Sequence, residues 1–240
     1  FVGAIGDDDF GDFMVRELAR EGVDASHVVR CPDAQSQFSF IMVEKGTGKR
    51  TIVWTRSDVP PLRPEQIDRH FISSCKVLHL DRHEPIAGAE AARWVHEAGG
   101  IVSMDAGTLV PGLENLLPLV DVLIASRAFA QEATGSNDPA ENAQALLEGR
   151  RIAGVTCGEM GSWFATSDGA QFHVPAFRVD VVDTNGCGDV FHGAFAFGLA
   201  QGWDAYHCAR FASAVAALKC TKLGGRAGIP SRDEAEALLG

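Results

Sequence analysis

The stretch VVDTNGCGDVFHGAFAFGLAQG, residues Val181 to Gly202, runs from strand-like sequence through a glycine-rich turn into a helical pattern. Because Gly186, Cys187 and Gly188 are small, their backbone N–H groups can converge on an anion without obstruction by side chains. Asp189 follows at the first turn of the predicted helix, where a carboxylate can also act only as a cap for free amide groups. Capping does not need glycines on alternate positions, so the pattern favours an anion hole with a carboxylate beside it.

Two well-known phosphate-binding loops do not fit this stretch. A Walker loop needs a lysine directly after its last glycine, and none follows here. A dinucleotide-binding loop needs a third glycine where this chain has Phe191, and the acidic residue at the right distance, Asp204, begins another helical pattern. What remains is phosphoryl transfer, in which a phosphoryl group rests on the amides and Asp189 accepts the proton of the attacking hydroxyl.

The composition restricts the class of protein further. The chain has 240 residues, of which 46% are hydrophobic, so it can bury a sizeable core, and it has no run of about eighteen apolar residues that could span a membrane. Its formal net charge of -11 argues against a nucleic-acid partner, whose phosphates attract a basic surface.

The scattered cysteines, without a Cys-x-x-Cys pair, are expected to be reduced in a cytoplasmic protein. The chain starts at Phe1 within an apolar run, so we expect that a segment precedes it.

Short apolar, β-branched runs alternate with helical patterns along most of the chain. The predicted strands are KVLHL, IVSM, DVLIA and IAGVTC, at residues 76–80, 101–104, 121–125 and 152–157. The helical patterns between them lie at residues 85–99, 110–120, 127–135 and 139–149. This alternation predicts a single α/β domain with a mostly parallel sheet covered by helices on both faces. Crossover units of this kind place ligand sites at the carboxyl ends of the strands.

One segment, Gln37–Arg56, departs from this alternation and reads as two β-strands around the turn GTGK. Side chains alternate along a strand, so the apolar residues of each strand share a face. These residues are Phe38, Phe40 and Met42 in the first strand, and Ile52 and Trp54 in the second. A hairpin inserted in an α/β chain serves either as a lid over a site or as an edge of the main sheet, and the sequence leaves both interpretations open.

The motif D-T-N-G-C-G-D, residues 183–189, resembles the D-T-x-G-A-G-D signature of the ribokinase-like (PfkB) carbohydrate kinases, with Cys187 in place of the usual alanine. Three further segments are similar to family motifs in the same order, at Gly3–Gly11, Val155–Phe164 and Lys219–Pro230. The resemblance covers essentially the whole chain. It implies a three-layer α/β/α sandwich of residues 1–240 with a mostly parallel central sheet, and a small β lid over a sugar at about residues 37–56. It also implies ATP as the phosphoryl donor with Mg2+, and a homodimer formed through the lids.

The resemblance assigns roles to individual residues. Asp189 falls on the catalytic base, and the amides of residues 186–188 fall on the anion hole. A monovalent cation such as K+ is expected beside that hole, held by backbone carbonyls at Asp183 and Asn185. The positions that match nucleotide-binding segments are Thr156, Gly158, Gly161, Thr184, Lys222 and Gly224.

Two departures from the family pattern concern the metal and the sugar. Where the family often carries N-x-x-E, which organises magnesium and phosphate through water, this chain has SRAF at residues 126–129. Glu132 and Glu159 are the candidate substitutes for the missing glutamate. The family's first strand and its sugar-contact segment, which should precede Gly3, are absent from this chain.

A second polar cluster, HLDRH, ends the first predicted strand of the sheet. His79, Asp81 and His83 would share one face of the strand and could bind a metal. Alternatively, Asp81 and Arg82 contact the substrate, because strand ends at the carboxyl edge face the cleft, or the segment is a solvated strand end. Asp105, at the end of the next predicted strand, is the third candidate for substrate binding, with the same solvated alternative.

The leading hypothesis is an ATP-dependent kinase that phosphorylates a hydroxyl of a small sugar or sugar derivative, with Asp189 as general base. A nucleoside kinase of the same family and a non-catalytic sugar- or nucleotide-binding protein on the same scaffold are the alternatives. Retention of Asp189 argues against the non-catalytic alternative, whereas the missing N-x-x-E pair favours it. The sequence does not identify the sugar or the hydroxyl that is phosphorylated.

Overall fold

The amino-terminal part of the chain forms a parallel pair of strands in the computed structural model, which describes residues 1–55 and 57–240. Strand β1 spans Val2–Gly6, helix α1 spans Asp9–Arg20 and strand β2 spans His27–Cys31. Asp8 caps α1 by accepting hydrogen bonds from the amide of Gly11 at 2.8 Å and from the amide of Ser36 at 2.9 Å. The Gly11 amide, followed by Ser36, holds the pKa of Asp8 below its usual value, so a charged carboxylate joins the helix start to the later loop.

A β-hairpin comes next in the chain. Strands β3 (Ser39–Val43) and β4 (Arg50–Trp54) are antiparallel, and among the described residues they pair with each other and not with the central sheet. The interpretation as an edge of the main sheet is therefore wrong. Arg56, the last residue of the predicted hairpin, lies outside the described residues.

The hairpin presents two different faces. Phe40 pairs with Val53 across the strands, so these two and Met42 form one apolar face, hereafter the outer face. Ile52 and Trp54 lie on the opposite face together with Arg50, and this is the inner face. The side chains remain open on both sides, since Phe40 is 64% exposed and Trp54 is 53% exposed.

Six strands form the central sheet. They are β5 (Val77–Leu80), β6 (Ile101–Ala106), β7 (Val122–Ser126), β8 (Ile152–Thr156), β9 (Ser162–Thr166) and β10 (Gln171–Val174). Their spatial order is β10-β9-β8-β7-β6-β5, in which β5 to β8 run parallel and the last two strands add antiparallel at one side. The mostly parallel sheet predicted from the sequence is confirmed.

Helices cover both faces of this sheet. They are α2 (Arg69–Ser73), α3 (Pro85–Glu97), α4 (Arg127–Thr134), α5 (Pro139–Leu146), α6 (Cys187–Ala200), α7 (Ala205–Lys219) and α8 (Arg232–Leu239). Side chains alternate across β7: Val122 and Ile124 join the core with α6 and α7, whereas Leu123 and Ala125 join the core with α3, α4 and α5. The α/β sandwich is therefore confirmed. Of the helices in the described ranges, none is long and apolar enough to cross a membrane.

Two predicted elements are wrong. The strand-like run FRVDVVDT, residues 177–184, which leads into the glycine-rich turn, forms no strand; the amides of Val182 and Asp183 instead bind the carbonyl of Cys220 at 2.8 and 3.1 Å, so the end of α7 holds this segment. The helical pattern at residues 110–120 forms two short 3₁₀ helices, Leu113–Asn115 and Leu117–Leu119. Gly112 takes a positive φ of 95° before the first, and Pro118 lacks the amide that a longer helix needs.

Candidate active site

Helix α6 begins at a glycine-rich turn, residues 183–188, hereafter the glycine loop. Gly186 precedes the helix with a left-handed φ of 76°, and a Cβ atom there would lie 2.9 Å from the carbonyl oxygen of Gly225. Only glycine meets both conditions. At Gly188, no atom of the described residues outside its chain neighbours and the backbone of its own helix lies within 4 Å of an added Cβ, so the first turn of the helix opens onto space that a ligand can fill.

The start of α6 also supplies the charge that an anion needs. The first amides of any helix have no acceptor within it, and the helix dipole adds partial positive charge at this end. The Cys187 amide donates to the Thr184 carbonyl at 3.3 Å, a long bond that an anion could replace. Asp189 is exposed on the same turn. The fold therefore brings the predicted base and the predicted anion hole to one helix end.

A buried aspartate braces the glycine loop. The carboxylate of Asp183 accepts hydrogen bonds from the amides of Asn185 and Gly224, both at 2.8 Å. Burial by itself raises the pKa of Asp183, but the two amides and the Lys219 charge outweigh it and hold the pKa below its usual value. The backbone carbonyl of Asp183, a predicted cation ligand, accepts a hydrogen bond from Nζ of Lys219 at 3.0 Å.

A contact between two cysteines also joins the glycine loop to the end of α7. Cys187 and Cys220 lie next to each other with Cα atoms 6.5 Å apart, although they are 33 positions apart in the sequence. That both are reduced stays a prediction. The other four cysteines, all within the described residues, are free thiols, and burial raises the pKa of Cys208 to about 12.

The tip of the hairpin rests on the glycine loop. The carbonyl oxygen of Gly48 accepts hydrogen bonds from the Thr184 amide at 3.3 Å and from the Thr184 hydroxyl at 3.1 Å. Arg50 donates to the same hydroxyl through Nη1 at 2.9 Å. Sequence reasoning missed Arg50, although a basic residue directly after the turn of a predicted lid was an available signal. The contact brings a guanidinium group next to the glycine loop.

The predicted nucleotide-binding turn lies at the carboxyl end of β8. Thr156 ends this strand and donates through its hydroxyl to the Ala125 carbonyl at 3.3 Å. Gly158 and Gly161 have positive φ angles of 59° and 88°, and a side chain at Gly161 would clash with the Val174 carbonyl. The shape of this turn therefore depends on its glycines.

A polar cluster lies where β5 and β6 end, under α6. Oδ1 of Asp105 is 3.2 Å from Nε2 of His192, a residue of α6. The ring of His79, on β5, stacks on the His192 ring with centres 5.8 Å apart. The Arg82 guanidinium lies close to Gly107, just beyond Asp105. Of the predicted substrate residues, Arg82 and Asp105 are therefore neighbours in space.

The electrostatics of this cluster favour a charged carboxylate at Asp105 and a neutral imidazole ring at His79. Burial by itself raises the pKa of Asp105, but its hydrogen bond with His192 and the nearby His79 and Arg82 hold the pKa below its usual value. Desolvation, followed by the proximity of His192, lowers the pKa of His79. Nδ1 of the buried His192 has no hydrogen-bond partner among the described residues. Nδ1 of His192 is therefore open to a hydrogen bond with a ligand hydroxyl.

Sequence reasoning missed His192 as well. It follows Asp189 by three residues, so the two side chains lie on one face of α6. A lone histidine at this spacing in an otherwise apolar helix was the available signal.

The residues that were predicted to bind a metal do not come together into a metal site. Asp81 accepts a hydrogen bond from the His83 amide at 2.8 Å and closes a turn. Ser126, where N-x-x-E would begin, caps α4, and the candidate substitutes Glu132 and Glu159 are exposed. Within residues 1–55 and 57–240, no group of three or more His, Cys, Asp or Glu side chains is arranged to hold a metal ion. The structure therefore gives no support to a metal at HLDRH.

Known proteins match both the sequence and the fold. A model of the pfkB family of carbohydrate kinases matches residues 1–232. A ribokinase from Haemophilus influenzae is 26% identical over 244 residues, which cover 98% of this chain and 79% of that protein. An ATP-dependent ribose-1-phosphate kinase from Halopiger xanaduensis is 30% identical over 240 residues, which cover 99% and 79%. The crystal structure of a ribokinase from Thermotoga maritima has a TM-score of 0.83 at 29% identity, covering 100% of this chain and 80% of that one.

Proposed function

Because the chain belongs to the pfkB family of carbohydrate kinases, we propose that it transfers the γ-phosphoryl group of ATP to a hydroxyl of a small sugar or sugar derivative. The observation that carries the proposal is the exposed carboxylate of Asp189 on the open first turn of α6. An anion-binding helix end and a base within the same turn are the two components that phosphoryl transfer to a hydroxyl needs.

In the proposed reaction, Asp189 accepts the proton of the attacking hydroxyl while the hydroxyl oxygen bonds to phosphorus. The bond between the γ-phosphorus and ADP breaks, and ADP leaves with the electron pair. The amides of residues 186–188 stabilise the charge on the phosphoryl oxygens. Arg50 can add a positive charge from the hairpin, since its guanidinium group already contacts Thr184 at the edge of the loop.

The acceptor sugar is proposed to lie over the carboxyl ends of β5 and β6. His192 lies one helical turn beyond Asp189 on the same face of α6, and its Nδ1 has no hydrogen-bond partner among the described residues. Asp105 fixes the His192 ring through Nε2. Asp81 and Arg82, directly after β5, would contact the outer part of the sugar.

The nucleotide is proposed to bind between the turn after β8 and the glycine loop. Gly158 and Gly161 shape that turn, and Lys222 is exposed in the segment after α7, where it can reach a phosphate. Gly224 would contribute backbone shape, because Asp183 already accepts its amide hydrogen bond. The remaining proposed contacts are Thr156 and Thr184.

Magnesium fits this site as an ion that arrives on ATP. Mg2+ usually keeps several waters and binds through substrate phosphates with one or two carboxylates. The described residues offer no cluster of three carboxylates or imidazoles, but the exposed Glu132 and Glu159 can bind a hydrated ion. When bound, Mg2+ neutralises phosphate charge.

The hairpin is proposed to act as a lid and as the contact of a homodimer. Arg50 on the inner face contacts the glycine loop, so Ile52 and Trp54 on that face turn towards the cleft. The exposed apolar outer face would pack against the hairpin of a second copy, because a lone two-stranded hairpin is only marginally stable in water. A need for ATP also favours a cytoplasmic enzyme.

A nucleoside kinase is the second candidate. The observation that favours it is Trp54, whose exposed ring on the inner face could stack on a base. A base on the acceptor would extend beyond the polar cluster at Asp105 towards the hairpin. Acceptor specificity therefore separates the two candidates.

The test is a coupled ADP-release assay of the chain with ketoses, pentoses, hexoses, phosphosugars and nucleosides. We expect release with one class of sugar to exceed release without acceptor, and we expect Asp189→Asn to abolish the difference. Release with nucleosides alone would favour the second candidate. ATP binding without release for any acceptor would favour the non-catalytic alternative.

A further inference from the structure

Lys219, the last residue of α7, is completely buried, with 0% relative exposure. Lysine is almost never buried in this way unless it is paired, because removing an ammonium group from water is costly. Its Nζ donates a hydrogen bond to the backbone carbonyl of Asp183 at 3.0 Å. A positively charged group therefore stands directly behind the glycine loop.

The contacts of Lys219 fit an ammonium group. Its Nζ has the Asp183 carbonyl as acceptor, and the Asp183 carboxylate belongs to the same residue. Burial lowers the pKa of Lys219 below its usual value, even though the carboxylates of Asp183 and Asp189 oppose that effect. The buried contact between Nζ and the Asp183 carbonyl holds the head group of the lysine beside the glycine loop.

The family resemblance implies a monovalent cation in this region, held by the backbone carbonyls of Asp183 and Asn185. The donor set does not fit a free cation, because the Asp183 carbonyl is already bound by Lys219. A second positive charge on the same carbonyl would also stand close to the ammonium group and be repelled.

We infer that Lys219 supplies, as part of the chain, the positive charge that a monovalent cation would supply beside the anion hole, so that phosphate binding does not depend on K+. The charge orients the Asp183 peptide that leads into the glycine loop and adds positive potential behind the loop amides. Lys219 is a positioning residue, because a completely buried side chain does not touch ATP. The inference rests on the proposed function in taking the bound anion to be a phosphate of ATP.

The test uses the whole chain and two measurements. One is the melting temperature, and the other is the affinity for ATP with Mg2+, measured by isothermal titration calorimetry. Both are measured in chloride salts of K+, Na+ and tetramethylammonium at equal ionic strength. We expect the wild-type affinity to agree among the three salts within about twofold, and its melting temperature to be the same in all three, because the charge is part of the protein.

Two variants separate the charge from the volume of the side chain. Lys219→Ala leaves a cavity beside the Asp183 carbonyl, and we expect at least about tenfold weaker ATP binding and a lower melting temperature in tetramethylammonium. K+ or methylammonium should restore part of both, since these cations can enter the cavity. Lys219→Met fills the space without a charge, so it should show the loss without the recovery. Lys76→Met, at an exposed lysine, is the control and should change neither measurement.

The inference would be overturned if K+ raised the ATP affinity of the wild type several-fold. It would also be overturned if K+ raised the melting temperature of the wild type by several degrees. The inference would also be overturned if a folded Lys219→Met protein bound ATP as tightly as the wild type. If both variants fail to fold, the salt series on the wild type still decides. If the wild type binds no ATP in any salt, the proposed function fails, while the melting temperatures of the wild type and Lys219→Ala still test the role of the lysine.

Discussion

The glycine loop and the β3–β4 hairpin meet at Thr184, yet the loop makes many contacts with the rest of the chain and the hairpin makes few. Contacts with distant segments hold the loop: the Asp183 carboxylate accepts the Gly224 amide, the Asp183 carbonyl accepts Nζ of Lys219, and Cys187 lies against Cys220. The hairpin is a separate two-stranded sheet with largely exposed apolar side chains. If the glycine loop is the phosphate site, a loop held this firmly needs little rearrangement on binding, whereas a hairpin of marginal stability can adjust to the acceptor.

This difference separates the expected effects of mutations. Changes in the glycine loop should lower turnover or stability whatever the acceptor is. Changes in the hairpin should alter the acceptor KM or the assembly state, with little effect on ATP.

The largest effect is expected for Asp189→Asn. Turnover should fall by about two to four powers of ten, the usual contribution of a positioned base, while ATP affinity stays nearly unchanged. Steady-state kinetics and ATP titration measure the two quantities. Asp233→Asn, in the first turn of α8, is the matched control and should leave turnover unchanged. Near wild-type turnover of Asp189→Asn would show that the base is another group.

Gly188→Val should come second. At this position an added Cβ meets no other part of the described residues within 4 Å, apart from its own helix, so the variant should fold, but its side chain would occupy the proposed phosphate position. We expect kcat to fall by about two to three powers of ten. Gly193→Val places the same side chain at another open position of α6 and controls for the cost of a β-branched residue in the helix. Equal losses in the two variants would contradict a phosphate at Gly188.

Asp183→Asn tests how firmly the loop is held. An amide cannot accept both hydrogen bonds as a carboxylate does, so the free energy of unfolding should fall by about 1–3 kcal/mol in urea titrations at neutral pH. Because the pKa of Asp183 is lowered on folding, its contribution is present above its unfolded value of about 3.9 and is lost as the pH falls through the lower folded value. The difference from wild type should therefore shrink in acid. Asp180→Asn, at an exposed aspartate, should show no such difference.

Trp54→Ala tests whether the hairpin contributes to binding of the acceptor. Loss of an aromatic surface on the inner face should raise the acceptor KM by about tenfold and leave ATP affinity nearly unchanged. Phe40→Ala, on the outer face, should instead loosen a dimer in sedimentation experiments without changing that KM. A Trp54→Ala protein that loses ATP affinity but keeps its acceptor KM and assembly state would show that the hairpin is no lid.

The smallest effect is expected for Cys187→Ala. In the proposed site the loop acts on phosphate through backbone amides, and the Asp183 hydrogen bonds hold it without the contact between Cys187 and Cys220, so turnover should change by less than about threefold. Turnover with and without dithiothreitol and a count of free thiols would check this. A severe loss in a folded protein would indicate a role for a disulfide between Cys187 and Cys220 or for a thiol.

The sequence by itself determined the framework of the molecule. Buried parallel strands read as continuous apolar runs, so β5 to β8 and the helices between most of them could be located from local patterns. The turn into α6, with Asp189 in the first turn of the helix, could also be predicted, because a run of small residues before an apolar helix is typical of an anion-binding helix start. These features depend on residues close together in the chain.

Tertiary structure decided which distant groups meet. The Arg50–Thr184 contact joins residues 134 positions apart, and the Lys219–Asp183 contact joins residues 36 positions apart, so no local pattern reports either. The run at residues 177–184 has strand-like composition but forms no strand, because strand formation depends on a neighbouring strand and here the carbonyl of Cys220 takes the amides instead. Periodicity records which side of an element is buried, whereas the partner that covers it is set by the packing of the whole chain.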